Sequence, residues 1–168
     1  MKKFELTTEF ITNAFGKKLF RIKALVEFGD VKAGELGGYV EKEGNVSQAD
    51  NAWVSGDARV YGDARVSGDA RVSGNAWVSG NARVYGDARV YGDADYALVQ
   101  GFGTEFRCTT FYSGKNKKIM VNCGCFHGDL EGFRKQVKET RNGKIAKEYL
   151  MIADLMEYHF TSEDSSNE

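Results

Sequence analysis

A six-residue unit, Ala-(Arg/Trp)-Val-(Ser/Tyr)-Gly-(Asp/Asn), repeats without a break from Ala52 to Ala94. Valine returns at 54, 60, 66, 72, 78, 84 and 90, and alanine at 52, 58, 64, 70, 76, 82, 88 and 94. A period of six does not match the 3.6 of a helix, but it is a multiple of the strand's period of two. Alanine and valine therefore share one face of a short strand, while the arginine or tryptophan and the serine or tyrosine share the other. Gly-Asp or Gly-Asn supplies a corner, because both residue types tolerate positive φ. Identical sides joined by identical bends close a polygon rather than a hairpin, and successive circuits stack in parallel at about 4.8 Å. Upstream, Gly38-Tyr39-Val40 and Gly44-Asn45-Val46 read as degenerate copies in the same phase, so the coil is expected from Leu36 and loses phase near Tyr96. Ten hexads from Leu36 to Asp95 predict about three circuits, roughly 15 Å tall.

The repeat resembles the hexapeptide-repeat family. Val54-Ser55-Gly56-Asp57-Ala58-Arg59 and its successors carry that family's aliphatic residue followed four positions later by a small one. The resemblance implies a left-handed parallel β-helix with three hexads per coil, a handedness that the general crossover rule would not supply. The flanks, residues 19–25, 28–38, 101–107 and 123–126, resemble segments of uncharacterised proteins from bacteria and their phages. That resemblance implies an accessory protein of a phage or prophage.

The expected fold class is mainly β: a short parallel β-helix with an N-terminal β cap and a small C-terminal α+β module. Residues 1–35 form the strand-rich cap, 36–98 the coil, 99–160 the C-terminal module and 161–168 a disordered acidic tail. Strands are predicted over Phe4 to Thr8 and Leu19 to Leu25. Glu105 to Tyr112 and Lys118 to Phe126 read as a hairpin around Ser113-Gly114-Lys115-Asn116. Asp129 is a suitable N-cap for a helix from Leu130 to Thr140, which Asn142-Gly143 stops. A second helix is expected from Ile145 to His159, with Ile145, Tyr149, Ile152, Leu155 and Met156 along one side. Both ends of a β-helix present unpaired strand edges, and the flanking modules would cover them.

The composition excludes several function classes. The 23 basic and 24 acidic side chains leave a net charge of −1, which argues against direct nucleic-acid binding or a polybasic membrane anchor. No apolar run approaches the roughly 20 residues of a membrane span, and Met1-Lys2-Lys3-Phe4-Glu5 lacks the apolar core of a signal peptide. There are 20 glycines and no proline, which suits an ordered repeat and not a linker. Three cysteines make no disulfide framework, so the cytoplasm of a bacterial host cell is the expected location.

Members of the hexapeptide-repeat family are mostly acyltransferases that use a histidine on a coil as general base. This repeat has no histidine, and the chain's two, His127 and His159, lie beyond it. Catalysis and a cofactor are therefore not expected. Cys108, Cys123, Cys125 and His127 form a candidate zinc set, because a hairpin centred on residues 115 and 116 would bring Cys108 opposite Cys123; plain thiol packing is the simpler reading. The outward face of the coil carries Trp53, Arg59, Tyr61, Arg65, Arg71, Trp77, Arg83, Tyr85, Arg89 and Tyr91. These arginines could merely balance Asp57, Asp63, Asp69, Asp87 and Asp93 at the corners. Tryptophan beside arginine, however, suits a binding surface. The expected function is a non-catalytic binding protein, phage-encoded, that forms a homo-oligomer through its β-helix and inhibits a host anti-phage defence component by protein binding. The alternatives are a sponge for a nucleotide immune signal, an acyltransferase with an unusual base, and a virion structural component.

Overall fold

The computed structural model describes residues 1–92, 95–114 and 117–161. The chain opens with an antiparallel hairpin, β1 (Phe4–Thr12) and β2 (Lys18–Ala24). Asn13 makes its turn, its Oδ1 accepting from the amides of Phe15 and Lys17 at 3.0 and 2.9 Å. β2 then pairs with β3 (Leu36–Val40), which is the first strand of the coil.

Seven two-residue strands follow: β4 (Trp53–Val54), β5 (Arg59–Val60), β6 (Arg65–Val66), β7 (Arg71–Val72), β8 (Trp77–Val78), β9 (Arg83–Val84) and β10 (Arg89–Val90). All pair in parallel, and the partners lie eighteen residues apart, as Val54 with Val72 and Val72 with Val90. β3, β5 and β8 share one sheet, β4, β7 and β10 a second, and β6 and β9 a third. The repeat valines and described repeat alanines are essentially inaccessible, so the expected inward face is the core. The corner glycines Gly56, Gly62, Gly68, Gly74, Gly80 and Gly86 all have positive φ. They also stack closely: a Cβ on Gly68 would stand 2.9 Å from the amide nitrogen of Gly86.

The upstream units do not keep the phase read from the sequence. Tyr39 pairs with Arg59, Val40 with Val60 and Val46 with Val66, a spacing of twenty. The two additional residues are taken up in the 47–51 loop, where Gln48 and Asp50 replace the regular corner. Gln48 Oε1 accepts from the amides of Lys3 and Phe4, and its Nε2 donates to the Phe4 carbonyl. Asp50 Oδ2 accepts from the Gly68 amide at 2.7 Å. Before this loop, buried Asn45 donates from Nδ2 to the carbonyls of Gly62 and Ala64.

The N-terminal segment also buries Trp53, which was expected to face outward. Its indole does leave the coil, but Phe4 meets it edge-on at 6.2 Å and Phe28 at 5.4 Å, and only 2% remains exposed. Lys3 is buried beside it, donating to the carbonyls of Asp50 and Ala52 with its ammonium over the Phe28 ring.

Beyond the coil lies an antiparallel sheet, β11 (Tyr96–Phe102), β12 (Arg107–Ser113), β13 (Ile119–Cys123) and β14 (Phe126–Asp129). Its outer strands β11 and β14 were not anticipated. Helix α1 (Leu130–Thr140) has Asp129 as N-cap, accepting from the Gly132 amide at 2.8 Å as predicted. Helix α2 (Gly143–Thr161) is longer than expected at both ends and takes in Thr161, the first residue of the expected tail. Its buried face is Tyr149, Ile152, Ala153 and Met156, whereas Leu155 is 58% exposed. Ala153 takes the inward place because it follows Tyr149 by one helical turn, which rotates Leu155 toward solvent. Phe111 and Val121 from the sheet and Phe133 and Val137 from α1 complete this second core. The tail over residues 162–168 and the hairpin positions Lys115 and Asn116 lie outside the described residues.

Candidate functional site

The coil presents its repeat arginines, tryptophans and tyrosines on separate sheets, so the ten outward candidates do not form one surface. Trp53 is core. Arg71 is held by the Asp30 carboxylate and the Asn51 carbonyl. That ion pair holds the Asp30 carboxyl below its ordinary value. Arg89 donates to the Asp69 carbonyl at 2.8 Å. Tyr85 is covered by the His127 imidazole, ring centroids 4.4 Å apart, and burial raises its phenol pKa. Arg65 and Arg83 are paired in register and exposed on the third sheet. Tyr91 is exposed at the end of the second. Among the described residues, no coil arginine pairs with a corner aspartate; Asp63 instead takes Lys42 at 2.9 Å.

Arg59, Tyr61 and Trp77 do come together. Arg59 and Trp77 are cross-strand partners on β5 and β8, and the guanidinium lies over the indole at 4.8 Å. This places a planar cation on the face of an aromatic ring, an attraction of about 0.5–1 kcal/mol at an exposed site. Trp77 remains 41% exposed. Tyr61 and Ser79 flank it, and the start of β11 closes the other side with Tyr96, Ala97 and Leu98. The result is a shallow groove with an aromatic floor and a cation at one edge. Tyr96 and Leu98 were missed because nothing in the repeat shows that the chain turns back along this face. Asp95 accepts from the amides of Tyr91 and Gly92 and closes the last corner.

The zinc candidates do not converge. Thr109, not Cys108, stands opposite Cys123, so Cys108 falls on the other face of the sheet. Its thiol donates to the Asn81 carbonyl at 3.5 Å, and burial raises its pKa. Cys123 Sγ accepts from the Thr109 hydroxyl at 3.1 Å, and Cys125 is exposed. His127 Nδ1 is hydrogen-bonded to Asn122 Oδ1 at 2.6 Å. Among the described residues no cluster of three or more histidine, cysteine or acidic side chains could hold a metal.

These last contacts have a different use. Asn122 Nδ2 donates to the Arg83 carbonyl at 2.7 Å, the Tyr112 hydroxyl to the Tyr85 carbonyl at 2.9 Å, and the Arg83 amide to the Thr110 hydroxyl. Side chains of β12 and β13 thus satisfy the backbone at the last turn of the coil, where no further strand can.

No helix among the described residues is long and apolar enough to cross a membrane. No curated protein matches the chain. The repeat itself is similar to a family described as the YdcK beta solenoid repeat, whose model matches residues 64–80 and 82–94.

Proposed function

We propose that the chain is a non-catalytic binding protein that engages a protein partner through the groove around Trp77. The observation that carries this reading is the Arg59–Trp77 pair, a large aromatic face left half-open beside a cation on a rigid coil. Tryptophan, tyrosine and arginine together are the residues that dominate binding energy at protein interfaces. A rigid scaffold also lowers the entropic cost of presenting them. The described contacts give His127 a role in holding Asn122, which supports scaffold over general base.

Three hexads per coil belong to the same reading and are supported by the eighteen-residue register; a left-handed winding rests on the resemblance to the hexapeptide-repeat family. A phage origin and a host defence component as partner rest on the resemblance of the flanks. Self-association uses a side of the coil, since β2 pairs with its first strand β3, and β12 and β13 cover its last turn.

The test is capture from a bacterial lysate with the intact chain and with Trp77→Ala. A partner retained by the native chain and lost at least about tenfold by the variant, at unchanged melting temperature, supports the reading. A partner held equally by both places recognition elsewhere. Light scattering that finds only monomer at high concentration would remove self-association.

A further inference from the structure

A second concavity lies in the C-terminal module, away from the Trp77 groove. It opens between the β11–β12 turn, the β13–β14 turn and the corner joining α1 to α2, with about 60 Å³ of space at its heart and a mouth open to solvent. Phe126, Phe133, Val137 and Ile145 give it an apolar wall, with the buried Tyr149 ring at its base. Two guanidiniums line it, Arg107 from β12 and Arg141 from the end of α1, and neither has an ion-pair partner among the described residues. Glu105 is the one carboxylate in its lining. Cations and carboxylates together therefore leave a single positive charge.

Two glycines shape this cleft. At Gly103, φ +72, a Cβ would stand 2.5 Å from the Tyr149 hydroxyl, which donates to the Phe102 carbonyl at 3.2 Å. At Gly124, φ +61, a Cβ would collide with the Arg107 guanidinium. A side chain at either place would push Tyr149 or Arg107 out of position. The sequence thus keeps one ring and one cation pressed against bare backbone on opposite sides of the same opening. Burial raises the Tyr149 phenol pKa, with both arginines close enough to act against that rise.

We propose that this cleft binds a small aromatic carboxylate, its ring against Phe126, Ile145 and Tyr149 and its anionic head between Arg107 and Arg141. Guanidinium groups match a carboxylate through paired N–H donors. The single net positive charge suits a monoanion and disfavours a polyphosphate. The aromatic and aliphatic wall suits the ring, while Thr104, Gln136 and Thr140 keep the rest of the lining polar.

The test is titration of the full ¹⁵N-labelled chain with phenylacetate, followed by amide and arginine side-chain resonances. Saturable shifts confined to Arg107, Arg141, Tyr149 and their neighbours are expected. Phenylacetamide, which keeps the ring and loses the charge, should bind about tenfold more weakly, and acetate more weakly still. Arg141→Gln and Arg107→Gln should each weaken phenylacetate about tenfold, and Trp77→Ala should leave it unchanged. Arg141 is exposed, so its variant keeps the test valid if Arg107→Gln misfolds. Equal affinity for acid and amide, shifts that do not saturate by ~10 mM, or full binding by Arg141→Gln would overturn the proposal.

Discussion

Trp53 and Trp77 hold the same place in the hexad, yet Trp53 is sealed between Phe4 and Phe28 while Trp77 stands under a guanidinium at the surface. The difference comes from the neighbours outside the repeat. The N-terminal segment packs Phe4 and Phe28 on Trp53 of β4, whereas Trp77 of β8 stays 41% exposed.

These two positions should respond oppositely to truncation. Trp53→Ala empties a packed site and is expected to lower unfolding free energy by about 3–5 kcal/mol. Trp77→Ala should cost about 1 kcal/mol or less. Urea denaturation of the two variants checks this, and similar midpoints would contradict the packing described.

Lys3 should make stability depend on pH. Burial lowers its ammonium pKa to about 8 from 10.5, against an opposing attraction from Asp50. Between those values the unfolded chain binds the extra proton, so stability rises with pH. The gain should be on the order of 2 kcal/mol from pH 8 to about 9.5. Above pH 10 the buried Tyr112 hydroxyl, whose pKa is raised, acts in the opposite sense. Lys3→Met should flatten the rise below pH 10 in denaturation measured at intervals across this range.

Stacked corners restrict substitution by position. Gly68→Ala forces a Cβ against Gly86 at φ +72 and should cost about 1–3 kcal/mol. Gly44 has open space around it and no positive φ. Gly44→Ala should therefore be neutral or slightly stabilising. Melting temperatures of the pair provide the comparison.

Asn122 joins the C-terminal sheet to the coil. Asn122→Ala leaves the Arg83 carbonyl without its donor and should cost about 1–3 kcal/mol. Hydrogen exchange should accelerate first in residues 83–90, while β4 and β5 remain protected. Uniform acceleration would mean that the sheet is not a local cap.

The coil was legible because every unit states the same pattern, so valine and alanine at fixed intervals admit one inward face. Its beginning was less so, since Val40 and Val46 look like further copies; the eight residues from Val46 to Val54 break the count, and pairing with Val60 and Val66 shows how the two added residues are absorbed. Asp129 announced α1 through local chemistry alone. Cys108 did not announce its face, because a shift of one residue in hairpin register reverses every side chain. Leu155 misled for a similar reason: it was placed with Met156 on one side, while the small Ala153 takes the inward place instead. The Trp77 groove was half legible, as Arg59 and Tyr61 come from the repeat, whereas Tyr96 and Leu98 arrive from a strand that the repeat does not encode.

The eighteen-residue interval between vertical neighbours also governs how such a molecule can change length. Duplicating eighteen residues would raise the upper module by one storey and leave it facing the same way over Arg59 and Trp77. Duplicating six would carry it around to another wall, and β11 would no longer border the groove. Growth of this scaffold is therefore quantised, with whole turns conserving its geometry and single units rotating one end against the other.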